Sequence, residues 1–211
     1  ATVTMSGAGT GTVTADASGN YTFNTLANGT YTITASKTGF SFNPANQPVT
    51  VNGANVNGVN FTAVSALSIW NNSTVPGTPS DSDASSIELG LKFRSDVAGL
   101  VTGVRFYKGS TNTGTHIGNL WTSTGMKLAT VTFANETASG WQQANFSPQV
   151  AISPNTTYIV SYYAPNGHYA GDNNFFGSAG VDNAPLHALR DGIDGGNGVY
   201  LYGIGGGFPS N

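Results

Sequence analysis

Apolar and polar residues alternate one for one along Thr30-Tyr31-Thr32-Ile33-Thr34-Ala35, and the same pattern returns in short runs, each cut off by Gly, Asn, Asp or Pro. A period of two sends successive side chains to opposite faces of an extended backbone, whereas a helix needs a period near ~3.6. No helical period competes, so the chain reads as all-β. Thr, Val, Tyr and Phe are abundant, and such side chains suit a pleated, half-buried surface. The 29 glycines supply turns, and only 8% of residues are charged, against roughly 25% in an ordinary domain. Water must therefore be met by Ser, Thr and Asn. A net charge of −3 offers no basic face to phosphates, which excludes nucleic acid and anionic membranes as expected partners. No run reaches the ~18 apolar residues of a membrane span. The first residues lack the charged and apolar regions of a signal peptide, so a secreted protein is expected here in mature or excised form. The absence of cysteine rules out disulfides, thiolate metal sites and a cysteine nucleophile.

The composition changes near Ser65. All three tryptophans, all three histidines and nine of the ten acidic residues lie beyond it. Two modules are expected, residues 1–64 and 67–211, joined by a 65–66 linker. In the first, Thr2-Val3-Thr4-Met5, Gly11-Thr12-Val13-Thr14-Ala15, Tyr21-Thr22-Phe23 and the Thr30–Ala35 run are strand candidates, and Asp16-Ala17-Ser18-Gly19-Asn20 is a turn. Asp16-Ala17-Ser18-Gly19-Asn20-Tyr21, Leu26-Ala27-Asn28-Gly29-Thr30-Tyr31, Lys37-Thr38-Gly39-Phe40 and Val56-Asn57-Gly58-Val59-Asn60-Phe61 stand in an order that resembles bacterial prealbumin-like modules. Those modules include the carboxypeptidase regulatory-like domain and the B-type repeats of surface adhesins. The resemblance implies a stalk or spacer with an immunoglobulin-like sandwich fold. Lys37 and Asp16 are explained by turns, which argues against the Lys–Asn crosslink of some adhesin repeats.

In the second module, Leu89–Phe93, Gly103–Tyr107, Gly118–Trp121, Leu128–Phe133, Trp141–Phe146 and Thr157–Tyr163 are strand candidates. Six such runs separated by turn residues predict a jelly-roll-like sandwich. Ser80-Asp81-Ser82-Asp83, Glu88-Leu89-Gly90-Leu91-Lys92-Phe93, Arg105-Phe106-Tyr107-Lys108-Gly109, Asn112-Thr113-Gly114-Thr115-His116, Glu136-Thr137-Ala138-Ser139-Gly140-Trp141-Gln142, Ala164-Pro165-Asn166-Gly167-His168-Tyr169 and Phe208-Pro209 resemble a bacterial secreted domain of unknown function, the 4082 family. That resemblance implies a prokaryotic extracellular or cell-surface location and no particular activity. It also implies a further terminal strand on each module, one before Ala1 and one after Asn211. Edges left open in this way are sticky and normally covered. The expectation is a homo-polymer or tandem array in which neighbours supply the missing strands.

Asp81, Asp83 and Glu88 are hard oxygen donors of the kind Ca2+ prefers, and Asp172, Asp182, Asp191 and Asp194 form a second acidic group in Gly/Asn-rich loops. A Ca2+ staple would suit small modules without disulfides. His116, His168 and His187 lack zinc-protease spacing, and neither a nucleophile elbow nor a triad stands out. Glu88 and Glu136 are a weak glycosidase pair, so no catalytic residue is nominated. His168, Tyr169, Phe175, Phe176, Trp70 and Trp121 are candidates for ligand or subunit contact, the loop aromatics above the strand tryptophan. The expected role is a non-catalytic structural repeat unit. The alternative is a module that binds extracellular polysaccharide.

Overall fold

In the computed structural model, which describes residues 1–37 and 40–211, the chain divides into two compact units, Ala1–Leu67 and Ser68–Asn211. All the regular elements among the described residues are strands.

The first unit holds β1 (Thr2–Gly7), β2 (Gly11–Thr14), β3 (Gly29–Ser36), β4 (Phe40–Asn43), β5 (Gln47–Val51) and β6 (Thr62–Ser65). They form an antiparallel sheet in the order β2-β1-β3-β5 and a separate β4-β6 pair. Alternation decides the buried face: Tyr31, Ile33 and Ala35 of β3 point inward, and β1 aligns Met5 with Ile33 and Val3 with Ala35 across the ladder. Val13, Tyr21, Phe23, Val49 and Phe61 close this core from its sides.

Tyr21-Thr22-Phe23, expected as a strand, joins no ladder. Its rings serve the core instead. Tyr21 and Phe23 meet edge to face with centroids 6.1 Å apart, and Tyr21 Oη donates to the Val59 carbonyl (2.6 Å). Asp16 is an exposed turn cap whose Oδ1 accepts from the Ser18 and Asn20 amides (2.9 and 2.8 Å). The Lys37 ammonium lies over the Phe40 ring, 4.6 Å from its centre. Thr38 and Gly39 of the Lys37–Phe40 motif lie outside the described residues.

The second unit comprises β7 (Ile87–Ser95), β8 (Gly99–Lys108), β9 (Ile117–Thr122), β10 (Lys127–Thr132), β11 (Gly140–Ile152), β12 (Tyr158–Ala164), β13 (Val181–Asn183), β14 (Leu186–Ala188) and β15 (Gly198–Tyr202). Its main sheet runs β10-β9-β12-β7, and β14 and β15 share the far side of β7. β13 lies outside β14, and β8 and β11 make the second layer.

One face of the main sheet packs Phe93, Leu120 and Tyr158 with Val104, Phe106 and Phe146 of the second layer. The opposite face packs Trp121, Ile159 and Val199 against Phe208. A sheet covered on both faces needs apolar residues at consecutive positions. That is the physical reason Tyr158-Ile159-Val160-Ser161-Tyr162-Tyr163 does not alternate. Both units are all-β sandwiches.

Candidate functional site

The acidic residues named above are dispersed. Asp81 and Asp83 cap successive turns of their own loop: Asp83 N donates to Asp81 Oδ1 (2.8 Å) and Ser85 N to Asp83 Oδ1 (2.9 Å). Asp83 Oδ2 also accepts from Tyr202 Oη (2.6 Å). That bond, with the Ser85 amide, holds its carboxyl below the usual range. Glu88 is one position along β7 from Ile87, the partner of Tyr202, so alternation sends it to the other face of the sheet, where it is fully buried.

Asp172 rests against Gly77. On β13, Asp182 takes the His187 Nδ1 (2.6 Å). Asp191 accepts from the Asn197 amide (2.7 Å), and Asp194 faces Arg94 at 3.4 Å. Among the described residues, no three Asp, Glu or His side chains gather as a metal-holding group.

Two buried polar clusters lie deeper. Glu88 Oε1 accepts from Ser161 Oγ (2.5 Å) and Asn119 Nδ2 (2.9 Å), while Trp121 Nε1 donates to Ser161 Oγ (2.8 Å). Among the described residues, Glu88 Oε2 and Asn119 Oδ1 have no hydrogen-bond partner that meets ordinary geometry. Burial pushes the Glu88 carboxyl above its ordinary range, since removal from water disfavours the charged form.

In the other cluster, the fully buried His116 sets Nδ1 against both Glu136 oxygens (2.8 and 2.9 Å) and Nε2 against the Asn112 side chain (2.8 Å). Lys108 Nζ donates to Glu136 Oε2 (2.7 Å). Burial lowers the imidazole against the pull of Glu136. The motifs containing Lys108, Asn112, His116 and Glu136 thus converge in one interior network. Glu88 and Glu136 sit in separate clusters, each committed to internal bonds.

The loops containing Asp81, Gly109, Thr113 and His168 gather together. Asp81 N donates to the Tyr169 carbonyl (2.8 Å), His168 N to the Asp83 carbonyl (2.6 Å) and Asn166 Nδ2 to Thr113 Oγ1 (3.2 Å). The Ser80 and Thr111 hydroxyls are 2.7 Å apart. Gly167, at φ +63°, lies so close to Asp83 and Ala84 that a β-carbon would strike their backbone.

Among the aromatics, Trp121 is core, 4% exposed, with Lys127 Nζ over its ring at 4.7 Å. Trp70 is half-buried against Phe175 and Phe176, at 6.4 and 6.5 Å between ring centres. Tyr200 and Tyr202, 41% and 49% exposed, project from β15 with rings 5.7 Å apart.

Residues 73–211 match the family model of a domain of unknown function, DUF4082. The chain belongs to the DUF4082 family. Residues 1–64 match a carboxypeptidase regulatory-like domain. No curated protein and no solved structure gives a match. Neither family description names a catalytic activity.

Within the DUF4082 domain, sequence reasoning passed over Arg94, Asp96, Asn119 and Arg190. Asp96 reaches His187 across 91 positions (Nε2 to Oδ2, 2.9 Å), and Asn119 reaches Glu88 across 31. Neither pairing leaves a local pattern to read.

Proposed function

We propose that this DUF4082 protein is a non-catalytic structural repeat unit of a prokaryotic extracellular or cell-surface assembly, its copies joined edge to edge by strand addition. The observation that carries this reading is β15. Its inner side pairs with β7, and on its outer side, among the described residues, only Asn211 is bonded, exchanging both backbone bonds with Tyr200 (3.3 and 3.4 Å). An edge with free N–H and C=O groups and exposed tyrosines is a template for another strand. Low charge density and the threonine- and asparagine-rich surface suit a protein packed among its own copies. Asp81, Asp83, Glu88, Asp172, Asp182, Asp191 and Asp194 are hard oxygen donors, and Ca2+ held by any of them would stiffen loops or joints.

The test is electron microscopy and light scattering of concentrated protein, with and without a calcium chelator. Ordered multimers are expected, and Tyr200→Lys, which puts a charge on the edge, should disperse them without lowering the stability of the second unit. A monodisperse monomer at high concentration in both conditions would refute the reading. Chelator-insensitive multimers would remove Ca2+ from it and leave the rest.

A further inference from the structure

Five asparagines stand directly before a glycine: Asn28, Asn52, Asn57, Asn166 and Asn197. Such a pair is open to internal attack, because glycine has no β-carbon to shield its amide nitrogen from the preceding side chain. Whether the attack happens depends on what holds that side chain and that amide, and the fold treats the five differently.

Asn197 is 1% exposed, and both ends of its side-chain amide are bonded: Oδ1 accepts from Lys92 N (2.7 Å) and Nδ2 donates to the Lys92 carbonyl (3.0 Å). Asn166 Nδ2 donates to Thr113 Oγ1 (3.2 Å), while the buried Gly167 gives its N–H to the Ala164 carbonyl (3.3 Å). One bond guards two more pairs. Gly53 N donates to Asn28 Oδ1 (2.7 Å), which holds the Asn28 side chain and also occupies the nitrogen that would attack Asn52.

Asn57 has no such guard. It and Gly58 are exposed in the 52–61 segment between β5 and β6, which joins no ladder. The hydrogen bonds of this segment run through the Gly53 amide and the Val59 and Asn60 carbonyls. Among the described residues, neither the Asn57 side chain nor the Gly58 amide is bonded. Gly58 has φ +78°, and no atom lies within 4 Å of where a β-carbon would stand, so there is room for nitrogen and side chain to meet.

We infer that Asn57 is a site of spontaneous deamidation, with water as the co-reactant. The Gly58 nitrogen gives its proton to solvent and bonds to Asn57 Cγ, closing a succinimide ring. The bond from Cγ to the side-chain nitrogen breaks, and that nitrogen takes up a proton and leaves as ammonia. Water then opens the ring at either carbonyl. One opening leaves an aspartate at position 57, and the other leaves an isoaspartate, in which the main chain runs through the former side chain. Either product makes the chain one charge more negative than its net −3. The isoaspartate also adds a methylene to the main chain two positions before Val59, whose carbonyl accepts from Tyr21 Oη and whose side chain packs on the first core. This chemistry is independent of the proposed assembly.

The test is to incubate the whole chain in mildly alkaline buffer, folded and in urea, and to map the products by mass spectrometry with fragment ions that locate the change. In the folded chain a gain of about 1 Da is expected at Asn57, with isoaspartate among the products. The other four sites should react at least roughly tenfold more slowly, since each must first open locally. In urea, where nothing holds the side chains, that difference should vanish. Asn57→Gln should remove the fast reaction, and Asn28→Ala, by freeing the Gly53 amide, should bring Asn52 up to the rate of Asn57. If Asn28→Ala does not fold, the folded and urea-treated parent still decide. Equal rates at all five pairs in the folded chain, or an Asn57 that reacts in urea but not when folded, would overturn the inference, as would a folded Asn28→Ala chain in which Asn52 stays slow.

Discussion

The two units solve one problem, how a low-charge β chain buries enough surface, in different ways. Before Ser68 the charged side chains are Asp16 and Lys37, and the core is one layer around Val3, Met5, Tyr31 and Ile33. The second unit buries both faces of its main sheet and takes Glu88, Asn112, His116, Asn119 and Gln142 inside with the apolar residues. Burial of polar groups is tolerable only where they find partners, and His116, Asn119 and Glu88 each find one 20 to 73 positions away in the chain. A one-faced sheet can therefore be assembled from short local patterns, whereas a two-faced sheet demands long-range agreement.

The sharpest way to break this comparison is to damage one core and watch the other. Phe106 stacks on Tyr162 at 4.2 Å and meets Phe133 edge-on at 4.8 Å, so Phe106→Ala should destabilise the second unit by about 3–5 kcal/mol. Since all three tryptophans lie beyond Ser68, tryptophan fluorescence in urea reports that unit, while the Tyr31 NMR signals report the first. An equal shift in both transitions would mean that the units do not unfold separately.

The converse experiment is smaller. Met5, 6% exposed, sits in the thinner core, and Met5→Ala should destabilise the first unit by about 2 kcal/mol, the low end for such a change. The tryptophan transition should stay where it is.

Acidity separates the units more gently. Burial lowers His116, so the unfolded chain takes up that proton more readily than the folded one. The stability His116 contributes is complete above the ordinary histidine pKa and declines as pH falls below it. His187 has the opposite sign: bonds to Asp182 and then Asp96 raise it, so its contribution is complete below the ordinary histidine pKa and is lost as pH rises through its folded value. Between pH 8 and pH 5, His116→Gln should lose less second-unit stability than the parent, and His187→Asn should gain less or lose more. The first unit has no histidine, and its urea midpoint should not move over that range.

The smallest effect is expected from Tyr202→Phe, which removes only the bond to Asp83. The Asp83 carboxyl should titrate at higher pH by carboxyl-carbon NMR, with little change in the urea midpoint of the second unit. An unchanged Asp83 titration would show that the Ser85 amide suffices to hold its charge.

Much of the fold was legible because strand alternation is local. The buried faces of β1 and β3 follow from Val3, Met5, Tyr31 and Ile33, and the Asp16 turn follows from Asp, Gly and Asn at their positions. The Tyr21–Phe23 run shows where alternation misleads, since a core can take the rings without giving the backbone a ladder partner. The candidate residues were partly legible. Loop aromatics such as Phe175 do reach the surface, but the Asp81, Asp83 and Glu88 spacing suggested a convergence that the sheet divides, with Glu88 on the opposite face.

By itself the sequence determined the class of structure, the change of character between its two modules and the absence of thiol chemistry, because these follow from residue type and nearest-neighbour period. Only the tertiary structure decided that Glu136 meets His116 and Lys108 and that His187 lies between Asp96 and Asp182. Those pairings depend on strand order and register across tens of residues, and a period of two carries no information about which strands become neighbours.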